Sequence, residues 1–558
     1  MPAWSANTTI NIESGANISN LEALITRAAQ HLRGNRLEQC LDDCKTLLLQ
    51  QPKHPQALEL SAIASFRLGD VRGALNASWQ LVETYPDEPA YCDRLAQLAE
   101  RGGKPEEGSK AYEHLLSRRP EEVTSRFNHA RLLRSRGLNE EALLQYRRCL
   151  KDGIQQPEEI QSNMGVILSD LHRSEEAEVL FQNALTQAPD YIPALYNLAL
   201  LLEERGDWPA AREHFTQILK LDPYHQDAAA RLVQGQVIES AQDPALKAVR
   251  NLLEQTALKP EQRESLYYAL GKGLDDCGQY RDAFAAYQSA NELSRRRVPA
   301  YDQKAQEVMV EQVLRAQVLD SLEPVSERPL IFICGMFRSG STLLEQMLAG
   351  HTALQSGGEI GFISGRADLP AWSGSQFRKD WQRLGRDYLD HLDANFSTDK
   401  VVLDKRPDNL FFLPMLARLF PSARFLRTTR QTMDNCLAVY FQQLGSDFTY
   451  ANRLSDTAHY LQCQQGFMST LEETCADQLY TISYEELIAN TRETLAGTLN
   501  FLGLPWDEGC LEYASRAARV RTASVSQVRR PIYATSVNRW RNYENELRAS
   551  SVFSELLD

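Results

Sequence analysis

The chain has 558 residues, a hydrophobic content of 43%, a mean hydropathy of −0.42 and a formal net charge of −14. This length predicts three or four folding units rather than one core, and the acidic balance argues against nucleic-acid binding. We expect a cytoplasmic protein without a membrane span, because neither a secretory signal nor about 18 consecutive apolar residues occur, and because the spacing of the ten cysteines favours free thiols.

The first half of the sequence repeats itself about every 34 residues. A glycine, a small residue, an aromatic residue and a proline recur in the same phase. The positions are Gly69, Gly103, Gly137, Gly206 and Gly278, with His172 in the glycine slot of one repeat; Ala142, Ala177, Ala211 and Ala283; Tyr146, Phe181, Phe215 and Tyr287; and Pro52, Pro86, Pro120, Pro189 and Pro223. This period is typical of the tetratricopeptide repeat, a pair of helices.

Each recurring residue has a physical reason within such a pair. Glycine relaxes the turn, alanine lets the helices approach, the aromatic ring fills the groove of the next repeat, and proline closes the second helix. Stacked pairs bury a continuous core and leave a concave surface. We predict a flexible N-terminus at 1–20, an all-α repeat domain at 21–295 that binds a protein or peptide, and a helical linker at 296–327. The phase is lost over 224–260, which predicts an irregular stretch or a displaced helix pair.

Residues 329–351 predict a strand, a glycine turn and a helix. The run 330–334 is apolar throughout, as in a parallel strand buried on both faces, and 335–342 reads G-x-x-x-x-G-S-T. Backbone N–H groups and a helix N-terminus in this arrangement bind phosphate-type anions. A nucleoside-triphosphate loop carries lysine where this chain has Ser341, and the nearest cation is Arg338. A turn with incidental glycines stays open as the alternative.

Short strands and helices alternate over the rest of the sequence. Strands are predicted at 400–403, 424–429 and 478–483, helices at 410–420, 436–443 and from residue 484, and surface helices at 366–399. The alternation predicts a three-layer α/β domain with a parallel sheet over 328–558. Arg338, Lys405 and Arg430 follow three strands, at the edge where such sheets bind ligands. Glu359 lies beside the loop between glycines, and 513–543 contains seven arginines and no acid.

Several motifs in this part stand in a recognisable order: RSGST, GGE, DKRPDN, Arg430, SYEEL and SVSQVRRPIY…RW. Together they resemble sulfotransferases, in particular the tyrosylprotein sulfotransferases and their bacterial relatives with tetratricopeptide repeats in front. The resemblance covers about 328–545. It implies transfer of a sulfuryl group from 3′-phosphoadenosine 5′-phosphosulfate (PAPS) to a hydroxyl acceptor, with PAP as product and no metal. Protein tyrosine is the acceptor of the nearest group, while saccharide, lipid and small phenolic acceptors stay open.

The resemblance also implies roles for individual residues. The loop residues Arg338, Ser339, Gly340, Ser341 and Thr342 would hold the 5′-phosphosulfate, Arg430 the 3′-phosphate and Tyr484 the adenine; Glu359 would be the general base; Lys405 and Ser526 would stabilise the departing phosphate, with Ser524 as the alternative serine; and Arg530 and Arg539 would lie near the nucleotide. Arg338 counts as catalytic as well. Ala438 stands where the family has a serine.

Sulfuryl transfer itself explains this choice of residue types. The group passes in line between two oxygens, so the protein mainly positions the partners and neutralises charge, and one carboxylate accepts the hydroxyl proton. Structural roles stay open for each side chain: ion pairs for Arg430 and Lys405, a turn for Glu359, the core for Tyr484. Two other functions also stay open. One is a repeat scaffold with an inactive nucleotide-binding domain, which Ala438 favours, and the other is a nucleotide kinase, which Ser341 disfavours.

Overall fold

The computed structural model describes residues 17–171, 173–255, 257–315, 322–366, 375–472, 475–513 and 535–548. The chain divides into two compact units, Met1–Asn197 and Leu198–Asp558. Among the described residues, no helix is both long enough and apolar enough to cross a membrane.

The first unit is built from helical pairs, as the repeat predicts. Its helices are α1 (Asn17–Arg33), α2 (Leu37–Gln50), α3 (Pro55–Arg67), α4 (Val71–Thr84), α5 (Pro89–Arg101), α6 (Pro105–Arg118), α7 (Val123–Ser135), α8 (Asn139–Lys151), α9 (Pro157–Asp170) and α10 (Ser174–Gln187), followed by α11 (Ile192–Arg205), which continues into the second unit. The two helices of each pair pack against each other, and successive pairs pack in sequence. The predicted tetratricopeptide architecture is therefore confirmed.

The recurring residues occupy the positions that their chemistry requires. The repeat glycines adopt positive φ, from 67° at Gly103 to 88° at Gly206, in the turn between paired helices. The repeat alanines are fully buried, and each repeat proline lies two residues beyond the end of a second helix. A Cβ on Gly165 would lie 2.6 Å from the Phe181 ring, so this ring also packs against the first helix of its own pair. His172 lies outside the described residues.

The second unit begins with further helices. They are α12 (Trp208–Leu221), α13 (Gln226–Gln234), α14 (Pro244–Leu253), α15 (Pro260–Asp276), α16 (Tyr280–Arg297) and α17 (Gln303–Arg315). The stretch 224–260 thus holds a helix pair, the second of the two expected arrangements. The pair α15–α16 has the turn glycine Gly278 at φ 72° and a buried Tyr287, as in the earlier repeats.

A five-stranded parallel sheet follows, in the order β2-β3-β1-β4-β5. The strands are β1 (Ile331–Gly335), β2 (Leu354–Gly358), β3 (Val401–Lys405), β4 (Arg424–Thr429) and β5 (Leu479–Ser483). Ile333 pairs with Lys405 of β3 and Gly335 with Thr428 of β4, so the carboxyl ends of the three central strands meet at one edge. The parallel α/β domain is confirmed, and β2 is an edge strand that the sequence analysis does not predict.

Helices cover both faces of the sheet. They are α18 (Ser341–Leu348), α19 (Ser375–Asn395), α20 (Asn409–Leu419), α21 (Thr432–Tyr440), α22 (Leu454–Glu472), α23 (Tyr484–Ala489), α24 (Thr491–Phe501) and α25 (Glu544–Arg548), with a 3₁₀ helix at Arg539–Tyr543. Phe332 of β1 packs on one face with α19 and α20, whereas Ile331 and Ile333 pack on the other with α18 and α24. The expectation of surface helices at 366–399 is only partly right, because Trp381 and Leu392 of α19 are fully buried in the core.

Candidate active site

The loop between β1 and α18 has the backbone of an anion cradle. Arg338 has φ 67° and Gly340 has φ 99°, both in the left-handed region that L side chains rarely adopt. A Cβ on Gly340 would lie 2.7 Å from the Tyr484 ring, and one on Gly335 would lie 2.3 Å from the Thr428 carbonyl oxygen. Both glycines are therefore required by close packing. α18 begins at Ser341, so its N-terminal N–H groups and its positive dipole end lie at the end of the loop.

Side chains from β4 and α21 hold the loop in place. The Ser339 and Thr428 hydroxyl oxygens lie 2.7 Å apart, and Asn435 Nδ2 donates to the Phe337 carbonyl at 2.8 Å. The Ser339 N–H donates to the Met336 carbonyl, and the residue is fully buried. The structure therefore gives Ser339 a role in fixing the loop, and its ligand contact stays a prediction. Ser341 and Thr342 form the first turn of α18.

Arg430 reaches back from the end of β4 to the loop. Its Nη1 donates to the Arg338 carbonyl at 3.2 Å, its Nη2 donates to the Ser536 carbonyl at 2.6 Å, and its guanidinium lies 4.8 Å from the Tyr484 ring centroid. Burial lowers the pKa of Arg430. Asp434 and Glu485 attract the guanidinium electrostatically, but within the described residues no carboxylate pairs with it at 4 Å or less, and its buried Nε has no hydrogen-bond partner. A cation desolvated in this way costs free energy until an anion joins it.

Glu359 and Lys405 form an ion pair at the same edge of the sheet. Lys405 Nζ lies 2.5 Å from Glu359 Oε1, and the lysine is buried at the end of β3 while Glu359 stays partly exposed beyond β2. A second carboxylate lies behind them: Glu345 of α18 accepts from Ser356 Oγ at 2.5 Å and from the Gly358 N–H at 2.9 Å. Burial raises the pKa of Glu345, while the charge of Lys405 acts in the opposite direction. Glu345 thereby ties β2, and Glu359 after it, to the loop helix.

Glu345 and Asp434 are residues of this region that the sequence did not predict. Glu345 lies between the apolar pairs 343–344 and 347–348 of α18, where helical spacing predicts an exposed polar residue, so its burial carries no signal in the sequence. Asp434, in the first turn of α21, accepts the backbone N–H groups of Asn538 and Trp540 at 2.6 and 2.8 Å. Nothing in the local sequence marks this contact, because its partners lie more than 100 residues away.

Of the remaining predicted residues, the structure describes only Arg539 and Ala438. Arg539 pairs with Asp275 of α15, and its position near the nucleotide stays a prediction. Ala438 lies half-buried on α21. Ser524, Ser526, Arg529 and Arg530 lie outside the described residues. Within the described part of the chain, no cluster of three or more histidine, cysteine, aspartate or glutamate side chains could hold a metal ion.

Taken together, the fold and this edge of the sheet define a class of protein: a parallel α/β domain with a glycine loop between β1 and α18, preceded by helical repeats. Residues 329–508 match the family model described as "Sulfotransferase family", and residues 94–157 and 157–223 match models described as "Tetratricopeptide repeat". The chain thus joins tetratricopeptide repeats to a domain of the sulfotransferase family.

Individual relatives extend this result. A protein of Aquifex aeolicus, named only as uncharacterized, is 28% identical over 408 residues, which are 68% of this chain and 52% of that protein. Protein-tyrosine sulfotransferase 1 of Danio rerio is 27% identical over 244 residues, 38% of this chain and 66% of its own, and the Drosophila melanogaster protein-tyrosine sulfotransferase is 26% identical over 38% and 47%. The matches thus span about half to two thirds of the length of these relatives.

Among solved structures, the sulfotransferase domain of the Synechococcus PCC 7002 olefin synthase aligns with 39% of this chain and 88% of its own length. The identity is 21% and the TM-score is 0.30, which is too low to support a comparison of the two folds.

Proposed function

We propose that this chain is a sulfotransferase that moves a sulfuryl group from PAPS to a hydroxyl acceptor. The observation that carries the proposal is the environment of Arg430: a half-buried guanidinium with an unpartnered Nε, lying against the loop and the Tyr484 ring with no carboxylate in contact among the described residues. Such a cation is suited to a bound anion. The match of residues 329–508 to the sulfotransferase family supports the same function.

The residues at the sheet edge fit the chemistry of this donor. The N–H groups of the loop and of the first turn of α18 would hold the 5′-phosphosulfate, Arg430 would hold the 3′-phosphate, and the Tyr484 ring would lie against the adenine. When bound, the donor supplies an SO₃ group on a phosphate leaving oxygen. Arg338 and Lys405 would neutralise negative charge on either side of the transferred group.

Glu359 would act as the general base. Its Oε1 is fixed by Lys405, and it lies at the rim of the sheet edge, where an acceptor can approach from solvent. The acceptor oxygen bonds to sulfur, the sulfur–oxygen bond to the donor phosphate breaks, and the hydroxyl proton passes to the Glu359 carboxylate. A base of this kind contributes roughly 10²–10⁴-fold to the rate. Glu345, bonded to the Gly358 N–H, would maintain the position of Glu359.

We further propose a tyrosine hydroxyl in a polypeptide as the acceptor. The relatives over the C-terminal part are named protein-tyrosine sulfotransferases, and tetratricopeptide repeats form concave surfaces that bind other chains. The ten cysteines are free thiols, seven of them buried, and we therefore propose a reducing compartment, the cytoplasm, as the location.

A second candidate is a repeat scaffold whose nucleotide-binding domain is inactive. Ala438 favours it, because this alanine offers no hydroxyl where the family has a serine. The two candidates differ in turnover, which is directly measurable.

Thermal shift and labelled-sulfate transfer on the full chain test the proposal together. We expect PAP to raise the melting temperature at concentrations at which ATP with Mg²⁺ does not, because ligand binding to the folded state stabilises it. We also expect label from ³⁵S-PAPS in a tyrosine-containing peptide. PAP binding without transfer to peptide, saccharide, lipid or phenol would favour the scaffold. Absence of PAP binding would contradict the proposed function altogether.

A further inference from the structure

The last helical pair before the sheet shares a hydrophobic core with α21, the helix that follows Arg430. Tyr287 of α16 stacks on Phe441 at 4.0 Å between ring centroids, and Asn291 Nδ2 donates to the Tyr440 carbonyl at 2.8 Å. Phe284 and Tyr268 belong to the same buried cluster as Met433 and Leu437 of α21. The pair α15–α16 therefore packs as one body with the helix that follows Arg430.

One charged residue of this pair contacts the 3₁₀ helix Arg539–Tyr543. Asp275, near the end of α15, accepts a hydrogen bond from Arg539 Nη2 on one carboxylate oxygen and from the Tyr543 hydroxyl on the other. Tyr543 is fully buried, and only 8% of the Asp275 side chain is exposed. Burial opposes the charged form of Arg539, but Asp275 together with Tyr287 and Tyr543 outweighs this effect, and the pKa of the guanidinium is raised. Both donors belong to the 3₁₀ helix Arg539–Tyr543.

Residues just before that 3₁₀ helix and at its start touch Arg430 and α21. The Ser536 carbonyl accepts from Arg430 Nη2 at 2.6 Å, and the Asn538 and Trp540 N–H groups donate to Asp434 at 2.6 and 2.8 Å. Asn538 has φ 58°, so the backbone turns sharply between these contacts. A side chain of α15 thus fixes a segment whose backbone fixes the guanidinium of Arg430.

From these contacts we propose that Asp275 is a positioning residue for Arg430, so that the last helical pair is part of the nucleotide site rather than an attached repeat. The proposal rests on the proposed function in one respect, namely that Arg430 binds the 3′-phosphate. Asp275 acts through Arg539 and Tyr543 and touches no substrate. Loss of its charge leaves Arg539 buried without its partner, which loosens residues 536–540 and the carbonyl that orients Arg430.

Asp276 provides a matched control on the same helix. It is also largely buried and also paired, with Lys272 at 2.6 Å, and it accepts the Ile238 N–H at 2.9 Å. Its contacts join α15 to the residues after α13 and do not involve 535–548. Substituting asparagine at either position removes one buried carboxylate charge from α15, but only Asp275 is connected to Arg430.

The experiment measures the binding of PAP and of adenosine 5′-phosphate, which lacks the 3′-phosphate, to the full chain. We expect Asp275→Asn to weaken PAP binding about tenfold, the scale of a hydrogen bond to a charged group, and to change adenosine 5′-phosphate binding less than twofold. KM for PAPS should rise by a similar factor, with kcat at saturation retained. Asp276→Asn should lower the melting temperature while leaving the ratio of the two affinities unchanged.

Tyr543→Phe keeps the ring and removes one of the two hydrogen bonds to Asp275. It should therefore show the same selective loss of PAP affinity on a smaller scale, even if Asp275→Asn does not fold. An unchanged affinity ratio in Asp275→Asn, or in Tyr543→Phe where the first variant is unfolded, would overturn the proposal. Tighter binding of PAP to Asp275→Asn would also overturn it. In that case the charge of Arg539, freed from its ion pair, would affect PAP binding more than the position of Arg430 does. Failure of the unsubstituted chain to bind PAP is a different result, and it contradicts the proposed function first.

Discussion

Lys405 Nζ lies 2.5 Å from Glu359 Oε1, and the two residues differ sharply in exposure: 1% of the lysine side chain reaches solvent, against 37% of the glutamate. The lysine is the last residue of β3, next to the loop strand β1. A buried cation thus fixes a carboxylate whose other side remains open to an acceptor. This arrangement suits the role of general base proposed for Glu359.

Glu359→Gln should abolish turnover while leaving nucleotide binding nearly intact. Glutamine keeps the shape and can still accept from Lys405, but it cannot take the hydroxyl proton. We expect labelled-sulfate transfer to fall roughly 10²–10⁴-fold and the PAP dissociation constant from calorimetry to change less than threefold. Glu508→Gln is the control, because it removes an exposed glutamate paired with Arg492 and should change neither quantity. Equal losses of transfer and PAP binding would mean that Glu359 is structural.

Much of this site was predictable from the sequence, because loop, strands and strand-end cations are local patterns. The apolar runs predicted β1, β3, β4 and β5 within one or two residues. The edge strand β2 was missed because its sequence, LQSGG, has no apolar run and only one β-branched or large apolar residue. α19 was misjudged because its many charges conceal one apolar face that contains Trp381.

Contacts between distant residues could not be predicted. Asp275 and Arg539 are separated by 264 positions, and neither stands in a motif that points to the other. Likewise the packing of Phe181 within its own pair depends on Gly165, whose lack of a side chain makes room for the ring. Periodicity predicts which residues are buried, whereas the choice of partner depends on tertiary packing.

Arg430→Met should abolish PAP binding without lowering the stability of the protein. Methionine removes a desolvated guanidinium that lacks a carboxylate partner among the described residues, so we expect the melting temperature to stay within a few degrees or to rise. The shift of the melting temperature caused by PAP should disappear. Arg427→Met, on the strand that precedes Arg430, breaks the ion pair with Glu472 at 2.8 Å and should leave the PAP shift in place. A PAP shift retained by Arg430→Met would contradict the role of Arg430.

Gly340→Ala should damage the loop without unfolding the protein. Alanine at φ 99° is strained, and its Cβ would lie 2.7 Å from the Tyr484 ring. We expect a cost of about 1–2 kcal/mol and a large loss of PAP affinity in calorimetry. Gly466→Ala on α22 has nothing within 4 Å of the added Cβ and should stabilise the helix by about 0.5–1 kcal/mol. PAP binding unchanged in Gly340→Ala would show that the loop tolerates a side chain and is not the cradle.

Asp404 should make the stability of the sheet domain depend on pH. Burial raises the pKa of this carboxyl to about 7, although Asn409 and Tyr388 donate hydrogen bonds to it and Arg406 is nearby; Asp408 adds to the rise. Because the folded pKa lies above the unfolded value of 3.8, the unfolded chain releases this proton first as pH increases. The contribution of Asp404 to the free energy of unfolding is therefore fully present below about pH 4. It is lost as the pH rises towards 7, by an amount of the order of a few kcal/mol.

Asp404→Asn tests this linkage, because asparagine cannot titrate. Comparing the melting temperatures of the two chains from pH 4 to pH 8 isolates the contribution of this carboxyl from that of the other acids. We expect the variant to gain stability relative to the unsubstituted chain as pH rises, with the difference levelling off above about pH 7. Asp447→Asn, an exposed aspartate before the 3₁₀ helix Thr449–Asn452, should give a pH profile parallel to that of the unsubstituted chain. Parallel profiles for Asp404→Asn as well would mean that Asp404 ionises normally in the folded protein.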